Sequence, residues 1–360
     1  DWFENVAKFP PEPSFKLMGE LIRYTSSYMP LWNNITFVGY NMHEAGANAF
    51  QELAFSLAAA NAVTQQCLKA GLDPDDVLPR YGWYMSSSDD FFENVAKLRA
   101  LRKMWFKIAR ERFGCKNPKS LQARIHVQTA GSSLTAQQPL NNISRIVLQT
   151  LSAVFAGANS IWPVGYDEAI ALPTEDAVTL SLRAQQIIMH ESHVPHVSDP
   201  LGGSYYLESL TKEIEERAWK LFEEVDSTEE YIRRCKNGWF KKIVEENAYE
   251  WRRKIDSGEK IKVGINKYVA DEEQDVPVFK IDPEIERTAI ERVKQFRSTR
   301  DDSRVHASLK KLRESAEKMK SKWPQEGYLM DDIIEAVKAD ATLGEMCEVL
   351  KQVFGWGYTY

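Results

Sequence analysis

The sequence predicts an α/β fold built on a parallel sheet, either open or closed into a barrel. Between residues 35 and 210, short stretches rich in β-branched and aromatic residues alternate with longer amphipathic stretches. Each strand is followed by a helix, so the connections are crossovers and the strands run parallel. The predicted strands are ITFVGY (35–40), RYGWYM (80–85), LQARIHVQT (121–129) and NSIWPV (159–164), and the predicted helices are 45–70, 90–113, 140–157 and 175–191.

The helix predicted over 90–113 has start and stop signals as well as periodicity. Asp89 and Asp90 are placed to cap its start, and Gly114 follows its end. Apolar residues recur at helical spacing between these signals, and their face is predicted to be core: Phe92, Val95, Leu98, Leu101, Trp105 and Ile108.

The pattern changes after residue 210. Charged amphipathic helices are predicted over 211–225 and 228–257, followed by a strand-like stretch, IKVGINKYV, and a polar acidic loop over 270–276. Further helices continue to the end. We therefore expect residues 211–360 to form a mostly helical extension beside the α/β part, which occupies residues 1–210.

Composition excludes several classes of function. The net charge is −6 with no basic stripe, which argues against a nucleic-acid partner. The four cysteines lie far apart without metal-binding spacing, and no apolar run reaches membrane length, so we expect a cytoplasmic protein in a reducing compartment. Residue 1 is Asp rather than Met, so we expect that a segment precedes it.

Polar residues lie at or near the ends of the predicted strands. Each has a structural explanation by itself: His126 as a core histidine, and Glu44 and Glu168 as acids in the first turn of a helix. In parallel α/β folds, however, the carboxyl ends of the strands and the loops after them build active sites. We therefore expect a site where these residues converge: Asn41, His43, Glu44, Arg80, His126, Gln128, Ser160, Asp167 and Glu168.

Several blocks of the sequence resemble the large subunit of adenosylcobalamin-dependent acyl-CoA mutases, the methylmalonyl-CoA mutase family. The blocks are GYNMHEAGA, LRALR, NPKSLQARIHVQTAGSSLTAQQPLNN, YDEAIALPTED, DPLGGSYYLESLT, DSGEKIKVGINKY and TLGEMCEVLKQVFG. The resemblance implies a (β/α)8 TIM-type barrel and a radical 1,2 rearrangement of an acyl-CoA. In such chemistry the cofactor carries the difficult step, and the protein holds, orients and excludes water.

The resemblance also implies roles for individual residues. Tyr40 and Asn41 match a pair beside the thioester carbonyl, and Gln128 matches a glutamine that contacts the substrate. Glu44, Glu168 and Ser132 match positions near the cofactor. A further set matches positions that line the coenzyme A tunnel, where cations suit a phosphorylated carrier: Arg80, Lys119, Arg124, His126 and Ser160.

Three positions depart from the pattern of the methylmalonyl-specific enzymes. Asn41 replaces a histidine and cannot become cationic, although its amide can still donate to a carbonyl. Ser132 replaces a tryptophan, which leaves more room over the corrin. Glu4 falls where those enzymes have the arginine that binds the free carboxylate of the substrate. These departures favour isobutyryl-CoA, 2-hydroxyisobutyryl-CoA or another branched acyl-CoA as substrate.

The resemblance has consequences for partners too. The first three barrel strands would precede Asp1, so we expect a separate N-terminal polypeptide or segment to complete the barrel. No D-x-H-x-x-G motif occurs, so the cobalt-ligating histidine is expected from a cobalamin-binding small subunit. Methylmalonyl-CoA mutase proper and a non-catalytic scaffold remain alternatives. The stretch HESHVPH lacks the full H-E-x-x-H pattern and is interpreted as a helix end, so no metal site is predicted.

Overall fold

The computed structural model describes residues 9–271 and 276–357 of the chain. Its strands are β1 (Ile35–Val38), β2 (Tyr81–Ser87), β3 (Arg124–Thr129) and β4 (Ser160–Trp162). Its helices are α1 (Pro11–Tyr28), α2 (Tyr40–Glu44), α3 (Ala49–Lys69), α4 (Pro74–Val77), α5 (Phe91–Lys107), α6 (Asn141–Phe155), α7 (Glu175–His190), α8 (Tyr205–Glu223), α9 (Thr228–Lys236), α10 (Trp239–Asp256), α11 (Pro283–Thr299), α12 (Asp302–Ser321), α13 (Leu329–Lys338) and α14 (Leu343–Phe354).

The strands form a parallel sheet in the order β1-β2-β3-β4, which confirms the predicted strands and their direction. The register places Tyr84 beside His126, and His126 beside Ser160. These four strands do not by themselves show a closed barrel, and an eight-stranded barrel stays a prediction.

One face of the sheet is covered and apolar. Trp83 on β2 is fully buried, and its ring meets Trp105 of α5 edge-on at 5.1 Å between centroids. The Trp105 indole donates to the carbonyl of Ser120 at 3.1 Å, so its one polar atom is satisfied inside the core. The other side chains of this face are Phe37, Met85, Ile125 and Val127.

Helix starts follow the capping chemistry that the sequence indicates. The Asp90 side chain accepts from the backbone N–H of Glu93 at 3.1 Å and caps α5 as predicted. Asp89 instead binds the ammonium group of Lys262 at 2.9 Å. A π-helical turn, Ile108–Arg112, extends α5, and Gly114 has φ +69 just beyond it.

The strand predicted over IKVGINKYV is wrong. Residues Val263 and Lys267 form a single bridge around a turn that contains Gly264 at φ +84. The Asn266 side chain supplies the other bonds, since it accepts from the Lys262 N–H at 2.7 Å and donates to the Ile255 and Lys260 carbonyls. Side-chain-to-backbone bonds of this kind compete with strand pairing.

By packing, the chain divides into two units. Among the described residues, the sheet unit comprises 35–62, 78–271 and 276–279, and the helical unit comprises 9–34, 63–77 and 280–357. Within the helical unit, α12, α13 and α14 enclose an apolar core that includes Leu312, Met319 and Phe354. The functional boundary predicted at residue 210 stays a prediction, and the packing groups residues 211–279 with the sheet.

Within the described parts of the chain, no helix has the length and apolar character needed to cross a membrane.

Candidate functional site

The second face of the sheet carries polar and aromatic side chains. Alternation along β3 places Arg124, His126 and Gln128 on one side, opposite the buried Ile125 and Val127. Neighbouring strands add Tyr84 and Ser160 in register with His126. We call this surface the open face; it is lined by hydrogen-bonding groups from the start of β3 to its end.

A hydrogen-bond chain links the open face to the turn after β1. The Gln128 amide nitrogen donates to the Tyr40 hydroxyl at 3.0 Å, and the Tyr84 hydroxyl donates to the Gln128 amide oxygen. The two phenol rings stack at 5.5 Å between centroids with an interplanar angle of 22°. Both ends of the buried Gln128 amide are therefore fixed, which sets the direction in which the Tyr40 hydroxyl points.

Acidic side chains gather around Gly131, immediately after β3. Glu44 accepts from the Ser132 backbone N–H at 2.8 Å and from the Ser132 hydroxyl at 3.0 Å. A Cβ at Gly131 would lie 3.2 Å from a Glu44 carboxylate oxygen, 3.3 Å from Glu168 Cγ and 3.7 Å from the Tyr40 hydroxyl. The absence of a side chain at Gly131 lets the Glu44 carboxylate, the Glu168 side chain and the Tyr40 phenol lie close to one point.

Burial shifts the titration of all three groups in this acidic cluster. Burial raises the pKa of Glu44, the bonds from Ser132 oppose that rise, and the charge of Glu168 adds to it. Burial also raises the pKa of Glu168, with a contribution from Asp167. Burial and the charge of Glu44 raise the pKa of Tyr40, so its phenol keeps its proton at neutral pH.

His126 is a neutral hydrogen-bonding group in the middle of the open face. Its Nδ1 lies 2.7 Å from the Ser160 hydroxyl, and the Tyr84 ring meets its imidazole edge-on at 4.8 Å. Burial lowers the pKa of His126. The imidazole is therefore uncharged at neutral pH and provides one donor and one acceptor.

The structure brings part of the predicted site together and leaves part of it apart. Tyr40, Glu44, Gln128, Ser132 and Glu168 meet at the carboxyl end of the sheet, and Asn41 is half-buried on α2 beside Tyr40. Four of the other predicted residues lie elsewhere because they precede or open their strands: Arg80 before β2, Lys119 in the loop before β3, Arg124 at the start of β3 and Ser160 at the start of β4. His126 lies within β3, His43 packs against Glu52, and Asp167 accepts from the N–H and hydroxyl of Thr174. Glu4 lies outside the described residues.

The structural explanations proposed for the two acids do not apply. Glu44 is the last residue of the five-residue helix α2, and Glu168 lies in a turn before α7 begins at Glu175. Neither acid is in the first turn of a helix, so the helix dipole does not account for them.

Two residues of the site, Tyr84 and Gly131, were not predicted from the sequence. Tyr84 donates to Gln128 and contacts both Tyr40 and His126, and its signal was alternation along RYGWYM opposite Trp83. Gly131 leaves the space between the acids, and its signal was a lone glycine directly after a strand.

A family model described as methylmalonyl-CoA mutase matches residues 3–356. The chain is 42% identical over 348 residues to the large subunit of 2-hydroxyisobutanoyl-CoA mutase from Aquincola tertiaricarbonis, which covers 96% of this chain and 61% of that protein. It is 38% identical over 352 residues to the methylmalonyl-CoA mutases of Rhizobium meliloti and Homo sapiens, which covers 98% of this chain and 48% and 46% of those proteins. The chain thus spans about half the length of these two mutases.

Proposed function

This chain belongs to the methylmalonyl-CoA mutase family, and from that premise we propose that it is the acyl-CoA-binding part of an adenosylcobalamin-dependent mutase. The reaction is a radical 1,2 rearrangement of the carbon skeleton of a branched acyl-CoA, so the enzyme is an isomerase. The observation that carries this proposal is the hydrogen-bond chain from Tyr84 through Gln128 to Tyr40, which ends beside the acids around Gly131.

Tyr40 is suited to hold a thioester carbonyl. Its oxygen receives the Gln128 amide N–H at 3.0 Å. Because this bond uses the oxygen as an acceptor, the phenol keeps its own O–H to donate. Its raised pKa keeps that proton in place. Tyr40 therefore positions and polarises a carbonyl without transferring a proton, as a radical rearrangement requires.

The acidic cluster fits the adenosyl part of the cofactor. When bound, adenosylcobalamin supplies a carbon radical that abstracts hydrogen from the substrate. A Glu44 carboxylate oxygen and the Glu168 side chain lie beside Gly131, and carboxyl oxygens accept from sugar hydroxyls. Ser132 fixes the orientation of Glu44 through two hydrogen bonds. These three residues would hold the cofactor.

The open face is proposed to bind the coenzyme A arm. From Arg124 to Gln128 β3 advances roughly 13 Å, at about 3.3 Å per residue. His126 and Ser160 provide neutral contacts along this path, and the cations toward its amino end suit phosphate groups. Those cations are Arg80, Lys119 and Arg124.

The substrate proposed is an isobutyryl- or 2-hydroxyisobutyryl-type acyl-CoA. The sequence identities to the 2-hydroxyisobutanoyl-CoA mutase subunit and to the methylmalonyl-CoA mutases, 42% and 38%, are too close to select a substrate. The argument rests on Asn41 and Ser132, which replace the histidine and tryptophan expected of methylmalonyl-specific enzymes, and on Glu4. Methylmalonyl-CoA is the alternative substrate, and a non-catalytic scaffold is the second alternative.

A cobalamin-binding small subunit is the proposed partner. Its support is the name of the Aquincola relative, which is a large subunit. In this proposal the small subunit supplies the cobalt ligand, and the present chain supplies the groups that hold the acyl-CoA.

The direct test is turnover of three candidate substrates by the assembled enzyme. The chain is combined with its small subunit, any N-terminal partner and adenosylcobalamin, and isobutyryl-, 2-hydroxyisobutyryl- and methylmalonyl-CoA are each followed by mass spectrometry of the acyl products. We expect turnover of one of the first two and loss of it in Tyr40→Phe. Turnover of methylmalonyl-CoA alone would contradict the substrate assignment, and a formed complex that rearranges none of the three would favour the scaffold.

A further inference from the structure

A buried group of charges lies beneath the turn that carries Tyr40. Glu52 of α3 and Lys97 of α5 have side chains that are 0% and 1% exposed, and the Lys97 ammonium lies 2.5 Å from a Glu52 carboxylate oxygen. Both residues also bind Ser86 near the end of β2. Glu52 accepts from the Ser86 N–H and hydroxyl at 2.7 Å each, and Lys97 donates to the Ser86 carbonyl and hydroxyl at 2.8 Å each.

The attraction between the two charges does not by itself explain why this pair is buried. Removing two charges from water costs free energy that their attraction recovers only with good geometry. Here that geometry includes Ser86, whose N–H, hydroxyl and carbonyl all bind the pair. A buried, fully satisfied polar group does provide a unique arrangement of the elements it joins.

The turn between β1 and α2 rests directly on this group. A Cβ at Gly39 would lie 2.9 Å from Glu52 Cγ and 2.7 Å from the Ser56 hydroxyl. Gly39 has φ −75, so the close approach and not the backbone conformation requires glycine here. The Gly39 N–H also donates to the Tyr84 carbonyl at 2.8 Å, which ties the turn to β2.

The same short helix contacts Glu52 a second time. His43 Nδ1 lies 3.9 Å from a Glu52 carboxylate oxygen. Burial lowers the pKa of His43 to about 4 and Lys97 adds to that effect, against the opposing charge of Glu52. Gly39 immediately precedes α2 and His43 is its fourth residue, so both ends of this five-residue helix pack against Glu52.

We propose that Glu52 and Lys97 are positioning residues, which hold α2 through Gly39 and His43 so that Tyr40 and Glu44 face the reacting groups. This role rests on the proposed function of Tyr40 and Glu44. Glu52 and Lys97 would set the position of α2 and would not contact the substrate, since neither residue lies on the open face.

The test compares a double variant, Glu52→Leu with Lys97→Met, with the wild type. We expect the double variant to fold with a lower urea midpoint than the wild type, because no unpaired charge remains but the Ser86 N–H, hydroxyl and carbonyl lose their buried partners. We expect kcat of the assembled enzyme to fall at least tenfold while KM for the CoA ester stays within twofold, because the coenzyme A contacts lie along β3. Arg233→Met, which removes an exposed ion pair with Glu230 at 2.5 Å, is the matched control and should change none of these.

A second readout does not depend on activity. The chain is labelled with 3-fluorotyrosine, and the Tyr40 signal is assigned by its loss in Tyr40→Phe. We expect the Tyr40 fluorine resonance to move in the double variant, while that of the exposed Tyr205 stays in place. An unmoved Tyr40 signal, or kcat equal to that of the wild type, would overturn the positioning role. A moved signal in a chain whose wild type rearranges no acyl-CoA would support positioning and contradict the proposed function alone.

Discussion

The two faces of the sheet are built from alternate residues of the same strands and differ in what holds them. On the covered face, Trp83 and Val127 are fully buried among apolar side chains, and burial alone accounts for them. On the open face, Tyr84 donates to Gln128 and Gln128 donates to Tyr40. Folding does not require polar groups there, so the comparison agrees with the binding role proposed for the open face.

Buried acids show the same contrast on a smaller scale. Glu52 has a cation, a hydroxyl and a backbone N–H bonded to it; burial acts to raise its pKa, but the charge of Lys97 and the hydrogen bonds from Lys97 and Ser86 together lower it. For Glu44 and Glu168, burial has the larger effect and the pKa values are raised. The first acid belongs to the framework, and the other two are suited to meet a ligand.

The largest expected effect tests the covered face. Trp83→Ala should reduce the free energy of unfolding by about 3–5 kcal/mol, because it removes a fully buried aromatic ring and leaves a cavity. Urea unfolding followed by circular dichroism measures this. Tyr84→Phe, one residue along β2, is the control and should cost about 1 kcal/mol. Equal losses in the two variants would remove the distinction between the faces.

The next effect tests whether binding extends to the amino end of the open face. Arg80→Ala should weaken binding of the CoA ester by ~1–3 kcal/mol if its guanidinium reaches a phosphate or the adenine. The Michaelis constant should rise while kcat changes little. A Michaelis constant equal to that of the wild type would place Arg80 outside the coenzyme A path.

A smaller effect is expected from the hydrogen-bond chain itself. Gln128→Ala removes the donor to Tyr40 and the acceptor for Tyr84, so the Tyr40 hydroxyl loses its fixed direction. We expect kcat/KM to fall roughly tenfold, equivalent to about 1.4 kcal/mol. Val127→Ala, on the adjacent covered position, should instead lower stability with kcat/KM retained. Loss of activity only in Val127→Ala would contradict the assignment of roles to the two faces.

The sequence was sufficient to predict the strands, their direction and most helices, because local periodicity and caps determine them. Asp90 and Gly114 are examples, since capping and a positive φ are properties of short segments. The turn at Val263–Lys267 was mistaken for a strand because its apolar residues suggest a strand, whereas the bonds that shape it come from the Asn266 side chain.

The sequence predicted which residues converge at the carboxyl end of the sheet when those residues lie at or after the end of a strand. It did not do so for residues that precede a strand. Glu44 and Gln128 converge as expected, because carboxyl ends of neighbouring parallel strands meet. Arg80 and Arg124 do not join them, because each lies at the amino end of its strand. Tyr84 and the Glu52–Lys97 pair depend on register and packing between segments far apart in sequence, which periodicity does not reveal.

The smallest effect separates the two kinds of buried acid by the sign of their pH dependence. Glu168 has a folded-state pKa above its ordinary value of 4.5, so its charge destabilises the fold increasingly as pH rises from 4.5 through the folded pKa. Glu52 has a folded-state pKa below 4.5, so its stabilising contribution is complete above 4.5 and is lost as pH falls through the folded pKa. Between pH 3 and pH 7, the stability of Glu168→Gln relative to the wild type should therefore rise, and that of the double variant Glu52→Leu with Lys97→Met, which leaves no unpaired charge, should fall. Urea midpoints measured across this range give both slopes. Slopes of the same sign would mean that the fold stabilises the charged form of Glu168 as it does that of Glu52. The acidic cluster and the buried Glu52–Lys97 pair would then not differ electrostatically.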